Sequence, residues 1–216
     1  MPVRSPAYPV NLLVAGRRVL VVGGGTVAAD KVRGLLAAGA VVHVVASRTS
    51  DEVRAQAVTW EERPYRRGEV AGYRLIVACT DDPTVNQAVF EDAEAAGVWV
   101  NAADDPAHCS YTLPARTQRG PLMVTVSTSG HSPALAAWLR DQLAEQLGPE
   151  HDTLLELLAE ARADLAGGGR SRPSADWRSA LDSGMLELIR SGRTAAARDL
   201  LRASLGLDDP PPTESH

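Results

Sequence analysis

A short apolar run that ends on three consecutive glycines limits this chain more than any other feature. Val19-Leu20-Val21-Val22 is apolar at every position, the pattern of a strand buried on both faces. Gly23-Gly24-Gly25 follows at once. Val27, Val32, Leu35 and Leu36 then recur at helical spacing up to Gly39, which reads as a helix stop. In this strand–bend–helix context, Gly23-Gly24-Gly25-Thr26-Val27-Ala28 fits G-x-G-x-x-A. The first glycine permits the tight turn, Gly25 lets the backbone approach a pyrophosphate, and Ala28 lets the helix pack closely on the strand. N–H groups at the helix start would then face phosphates, assisted by the dipole. Gly23, Gly24, Gly25, Thr26 and Val27 are therefore the first candidate cofactor contacts.

The alternation continues. Val41-Val42-His43-Val44-Val45, Leu75-Ile76-Val77-Ala78 and Val98-Trp99-Val100 read as further strands. Asp82-Pro83 reads as an N-cap and first residue of a helix that runs towards Ala96 and stops at Gly97. Strand–helix–strand units of this kind imply right-handed crossovers, a parallel sheet and the Rossmann plan, here over residues 1–114. At the end of the second strand an acidic residue usually holds the ribose; this chain has Ala46-Ser47-Arg48, with Asp51 a few positions late. Ser47 can bond the ribose, and Arg48 can stack on adenine or favour a 2′-phosphate, so NAD and NADP both stay open. Thr80 follows the strand that ends at Cys79, beside the expected crevice; it either touches the cofactor or starts the next helix.

The second half changes character. Leu122-Met123-Val124-Thr125-Val126 reads as a strand, and Ser132-Pro133 starts a helix that Gly148-Pro149 ends. From Thr153 the pattern is helical, broken at Gly167-Gly168-Gly169. The expected plan is a dimerisation segment at 115–150, a helical domain at 151–207 and a disordered polar tail at 208–216. A net charge of -5 argues against a nucleic-acid surface. No run reaches the ~18–20 apolar residues of a membrane span, and two cysteines make no disulfide framework, so a cytoplasmic protein is expected.

Three more stretches accompany the glycine bend in order: Thr80-Asp81-Asp82-Pro83-Thr84-Val85-Asn86, Val100-Asn101-Ala102-Ala103-Asp104-Asp105-Pro106, and Pro121-Leu122-Met123-Val124-Thr125-Val126-Ser127-Thr128-Ser129-Gly130-His131-Ser132-Pro133. With Val21-Val22-Gly23-Gly24-Gly25-Thr26-Val27-Ala28 they resemble the precorrin-2 dehydrogenase and sirohydrochlorin ferrochelatase family, the siroheme synthase N-terminal region. The resemblance covers residues 8–147 well and the helical remainder loosely. It implies a Rossmann-type α/β domain, a small α+β dimerisation segment and a C-terminal helical domain. It also implies NAD-dependent oxidation of precorrin-2 to sirohydrochlorin, a homodimer with intertwined middle segments, and in some members insertion of ferrous iron. A chelatase-only or cobalt-inserting relative, and a non-enzymatic nucleotide-sensing Rossmann protein, are the other readings.

Asp104 matches the family's catalytic aspartate, and a carboxylate there can take the proton that accompanies hydride loss. The other reading of Asp104 or Asp105 is a cap on the turn before Pro106. Substrate candidates are Asn101, Ser127, Thr128, Ser129, Gly130 and His131, whose hydroxyls and N–H groups suit the substrate's carboxylates, together with Arg116. Arg119 and Arg140 are further candidates to add charge-assisted contacts to the same carboxylates, and relatives often carry serine where Thr128 stands. His108 is a further titratable candidate, Cys109 reads as structural, and no stable metal site is expected.

Overall fold

A computed structural model describes residues 7–103, 105–167 and 177–207. Two compact units are present: one holds the chain up to Pro114 together with Ser127–Pro133, the other Ala115–Val126 and the chain from Ala134 onward.

The first unit runs β1 Arg18–Val22, α1 Thr26–Ala37, β2 Val41–Ala46, α2 Asp51–Arg54, β3 Thr59–Glu62, β4 Leu75–Ala78, α3 Pro83–Ala96 and β5 Trp99–Ala102. The five strands form one parallel sheet in the order β3-β2-β1-β4-β5. Successive side chains feed opposite faces, as strand geometry requires. Val19, Val21, Val42, Val44, Leu75 and Val77 pack with Ala28, Ala29 and Val32 of α1. Leu20, Val22, Val45, Ile76, Ala78 and Val100 pack with Val89 and Ala93 of α3. Helices on both faces of a parallel sheet make this the doubly wound α/β class that the alternation predicts.

Asp82 caps α3 by accepting the Thr84 N–H at 2.8 Å, Pro83 opens the helix, and left-handed Gly97 ends it. Three features differ from the sequence expectation. The last strand spans Trp99–Ala102 rather than 98–100, and neither β3 nor α2 is signalled by an apolar run: every residue of β3 is exposed. The strand at Leu122–Val126 is half of an antiparallel hairpin whose other half, Ala115–Arg119, is mostly polar.

In the second unit that hairpin, β6 and β7, is joined by α4 Pro133–Gln146, α5 Glu150–Gly167, α6 Trp177–Asp182, α7 Met185–Arg190 and α8 Thr194–Ser204. Helix α5 starts at Glu150, earlier than Thr153, because its first turn directly follows Gly148-Pro149. Leu157, Ala161, Leu165, Met185, Ile189, Ala197 and Leu201 share one apolar core. Arg190–Glu150, Arg198–Glu160 and Arg202–Asp164 pair on its outside. Among the described residues no helix is long and apolar enough to cross a membrane. The expected tail at 208–216, and Gly168 and Gly169 of the expected loop, lie outside the described residues.

Candidate functional site

The three glycines after β1 have three different reasons to be glycine. Gly23 has φ +129, and a Cβ there would strike the carbonyl of Cys79. A Cβ at Gly24 would strike the Arg48 carbonyl and come within 2.9 Å of the Ala46 side chain. The bend is also tied by backbone bonds: Gly23 N–H donates to Val45 O at 2.9 Å, and Ser50 N–H to Gly24 O at 2.8 Å. Gly25 is different, since a Cβ there would meet no protein atom within 4 Å. The fold itself imposes no steric demand for glycine at that position. Gly25 is the N-cap of α1, no side chain caps the helix, and no acidic residue stands in its first turn. An open cradle with uncapped N–H groups and an unopposed positive dipole end fits a dinucleotide pyrophosphate. Thr26 and Val27 are the exposed first residues of this helix, and Ala28 behind them is fully buried against the sheet.

Ser47 and Arg48 are exposed just past β2. Behind them Thr49 is buried and its N–H donates to Glu62 Oε1 at 3.0 Å, so the end of β3 fixes this loop. Glu62 is held below the usual carboxylate range by that N–H and by Arg54. Asp51 opens the short α2 instead of ending β2.

Thr80 is occupied within the fold. Its N–H donates to Asn86 Oδ1 at 3.1 Å, its hydroxyl lies 2.9 Å from both Asn86 Oδ1 and Asp82 O, and Asn86 Nδ2 donates to Thr80 O at 2.9 Å. Asn86, buried at 8% exposure, is thus the residue that fixes the crevice-side end of β4. In the sequence, a polar residue on the inner face of a helix is the signal that points to it.

Asn101 is also turned inward. Its Nδ2 donates to Tyr111 O at 3.0 Å and lies 3.4 Å from Cys109 Sγ. The edge of β5 is closed by this segment: Asn101 and Cys109 form an antiparallel bridge, and Val100 N–H donates to Ser110 Oγ at 2.8 Å. Asn101 therefore positions the loop between β5 and Cys109, and its amide nitrogen is not free to hold a ligand. Cys109 Sγ lies 3.3 Å from the carbonyls of both Ala102 and Asp105, and burial pushes its thiol up. Burial does the same at Cys79, to about 12, so both cysteines are structural thiols.

Asp104 lies outside the described residues. Its neighbour Asp105 caps the 3-10 turn Pro106–His108, accepting the Ala107 N–H at 3.2 Å and meeting His108 Nδ1 at 2.6 Å. The His108 hydrogen bond holds its carboxyl below the ordinary range. The His108 ring packs edge-on to Phe90 at 5.0 Å.

In the segment Ser127–Pro133, which groups with the first unit, the Thr128 hydroxyl is spent: it accepts Ser132 N–H at 3.1 Å and donates to Ser132 O at 3.0 Å. His131 N–H donates to Thr128 O at 2.9 Å, and the His131 residue is exposed. Ser129 and Gly130 follow with φ 50 and 76, and Ser129 N–H donates to Ser127 Oγ at 3.3 Å. In the second unit Arg116 is exposed on β6, whereas Arg119 pairs with Asp152 at 2.9 Å and Arg140 with Asp141 at 2.6 Å. Among the described residues no three His, Cys, Asp or Glu side chains gather as a metal site.

Comparison with known proteins agrees with this geometry. Residues 10–115 match a family model described as putative NAD(P)-binding, and residues 119–146 match the central region of sirohaem biosynthesis proteins. Siroheme synthase of Gluconacetobacter diazotrophicus is 37% identical over 90% of this chain and 43% of its own length. The enzyme of the same name from Nitrosococcus oceani is 35% identical over 91% and 43%. The chain thus spans less than half the length of these curated relatives. The solved structure of SirC, a precorrin-2 dehydrogenase, superposes with a TM-score of 0.68 at 25% identity, covering 93% of this chain and 100% of that one. With two family models matched in chain order and relatives aligned along nine-tenths of its length, the chain belongs to the precorrin-2 dehydrogenase and siroheme synthase family.

Proposed function

We propose that this protein oxidises precorrin-2 to sirohydrochlorin with NAD. The observation that carries the reading is the glycine bend. Gly23 and Gly24 are dictated by the fold, but Gly25 faces open space at an uncapped helix start, in a chain whose relatives are siroheme synthases and a precorrin-2 dehydrogenase. NAD, when bound there, accepts the hydride. Gly25, Thr26 and Val27 would hold its pyrophosphate through backbone N–H groups, and Ser47 and Arg48, exposed past β2, would meet its ribose and adenine.

The protein must also take up the proton released with the hydride. Asp104 is the acceptor in this reading. Its support is the family motif and the engagement of Asp105, whose carboxylate is committed to His108 and to the Ala107 N–H and is a weakened base. The substrate's carboxylates fall to the exposed Ser127, whose hydroxyl accepts the Ser129 N–H and still has its own hydrogen to donate, and to the exposed Gly130. Thr128 shapes that turn. Dimerisation is supported by the β6–β7 hairpin, none of whose residues is buried, and by the exposure of Met123 at 37%, Leu135 at 47% and Trp138 at 57%. Two free cysteines suit the reducing cytoplasm, where we place the protein.

The test is direct. The purified chain, given precorrin-2 and NAD, should produce sirohydrochlorin and reduced nicotinamide in step. Asp104→Ala should bind NAD normally and lose about a hundredfold or more in turnover. Normal turnover in that variant would remove Asp104 from the chemistry; an inactive wild-type chain with NAD bound would remove the oxidation itself. Ferrous iron or cobalt added to sirohydrochlorin in the same assay distinguishes a dehydrogenase from one that also inserts metal.

A further inference from the structure

The inner face of α3 breaks its own pattern at one position. Val89 and Ala93 are fully buried there, and Asn86, which precedes them at helical spacing on the same face, is buried too. Asparagine is a weaker helix former than alanine or leucine, and a buried amide is costly unless it is bonded. An apolar side chain would serve packing alone. A buried polar residue that departs from the local rule in this way marks a place where the fold serves something besides its core.

What Asn86 holds is specific. Its amide bonds both backbone groups of Thr80, accepting the N–H at 3.1 Å and donating to the carbonyl at 2.9 Å. In a sheet, a neighbouring strand supplies such bonds. Among the described residues the ladders on either side of β4 stop short of Thr80. On the β1 side Cys79 N–H donates to Val22 O at 2.8 Å, and on the β5 side Ala103 N–H donates to Ala78 O at 2.8 Å. Asn86 therefore carries β4 one residue past its ladders, and it does so from a helix packed on the sheet's face. The place of this clamp matters. In the order β3-β2-β1-β4-β5 the winding reverses between β1 and β4, and an open α/β sheet binds its ligand outside the carboxyl ends of the strands at that switch point. The β1 wall of the crevice is the glycine bend, and the β4 wall is Cys79-Thr80. The two walls meet where the Cys79 carbonyl lies so close to Gly23 that no Cβ fits between them.

We infer that Asn86 is a positioning residue for the dinucleotide, an inference that rests on the reading above that NAD lies in this crevice. It acts through Thr80. With both backbone groups of Thr80 tied to α3, the β4 wall stays at a set distance from the helix start that takes the pyrophosphate. Binding of NAD and of sirohydrochlorin is measured separately for the full chain, Asn86→Leu and Asn86→Asp, well below the melting temperature of each. Asn86→Leu fills the same inner-face position and releases Thr80. It should weaken NAD binding about tenfold and leave sirohydrochlorin binding within about twofold. Asn86→Asp keeps the acceptor for the Thr80 N–H and loses the donor to its carbonyl, so it should shift NAD affinity in the same direction. It carries the test alone if the leucine variant does not fold. NAD affinity unchanged in the variants overturns the inference. An equal loss for both ligands also overturns it, since general loosening of the sheet would give that result. Failure of the unmodified chain to bind NAD is a separate outcome, which overturns the reading of the crevice and this inference with it.

Discussion

At the bend of residues 23–25 the chain is closed by backbone against backbone; at the turn within Ser127–Pro133 it is closed by a side chain. Gly23 and Gly24 press on the carbonyls of Cys79 and Arg48 and contribute no polar side-chain atom. Thr128 spends its hydroxyl on both the N–H and the carbonyl of Ser132. The first design leaves the following helix start uncapped and its N–H groups open to a phosphate. The second consumes the Thr128 hydroxyl and leaves Ser127 and Gly130 exposed beside it. A loop that binds through its backbone must be small at every position, whereas one that binds through side chains can sacrifice one of them to hold its shape.

Substitution within the glycine bend tests the first half of this contrast most severely. Gly24→Val drives a side chain into the Arg48 carbonyl and should cost about 3 kcal/mol or more, lowering the melting temperature by roughly 10 °C. Gly25→Ala should destabilise far less than Gly24→Val and yet weaken NAD binding by about a hundredfold, because the added Cβ meets no protein atom within 4 Å. Equal destabilisation by the two variants, read by calorimetry, would erase the distinction between fold-imposed and ligand-imposed glycine.

Thr128→Val probes the other loop. Removing the hydroxyl from its two contacts with Ser132 should cost about 1–2 kcal/mol and raise the KM for the tetrapyrrole, with NAD affinity intact. Thr128→Ser should behave as wild type in both assays. A Thr128→Val enzyme with unaltered melting and KM would show that the turn holds without its side chain.

The smallest effect concerns Asp105, where a carboxylate rather than a hydroxyl fixes the turn. The hydrogen bond from His108 lowers its pKa in the folded chain, so the unfolded chain binds more protons in the acid range. The stability it supplies is present above the ordinary carboxylate value, about pH 4, and disappears as pH falls through the lowered folded value. Its side chain is 41% exposed, which keeps the contribution small. Wild type should out-melt Asp105→Asn by no more than about 2 °C at neutral pH, and the two curves should converge on acidification. A gap that widens in acid would reverse the assigned sign.

Much of the sheet was legible because buried strands and capped helices leave compact signals. β4 and β1 from Val19 onward are apolar throughout, β2 is interrupted only by His43, and Asp82-Pro83 and Gly97 bound α3 as their chemistry dictates. Strand β3, Thr-Trp-Glu-Glu on the sheet edge, carries no such signal because it buries nothing. Polar Ala115–Arg119 escapes notice for a similar reason, since its strand character comes from pairing with Leu122–Val126. The glycine motif is readable from spacing because sterics are encoded in residue size. The polar candidates are harder. Thr80, Asn101 and Thr128 all carry groups suited to a ligand, and in each case a group is bonded within the fold. A sequence names the atoms able to form a hydrogen bond, while only the folded chain decides where they are used.

The clamp on β5 has an outcome for how this family can drift. The stretch from Ala102 to Cys109 is pinned at its start by the strand ladder and at its finish by the Asn101–Cys109 bridge, with one sulfur bracing both Ala102 and Asp105. A replacement at Cys109 that removes the sulfur would release both carbonyls at once, so this position should tolerate few substitutions while the exposed Gly120-Pro121 hairpin tip tolerates many.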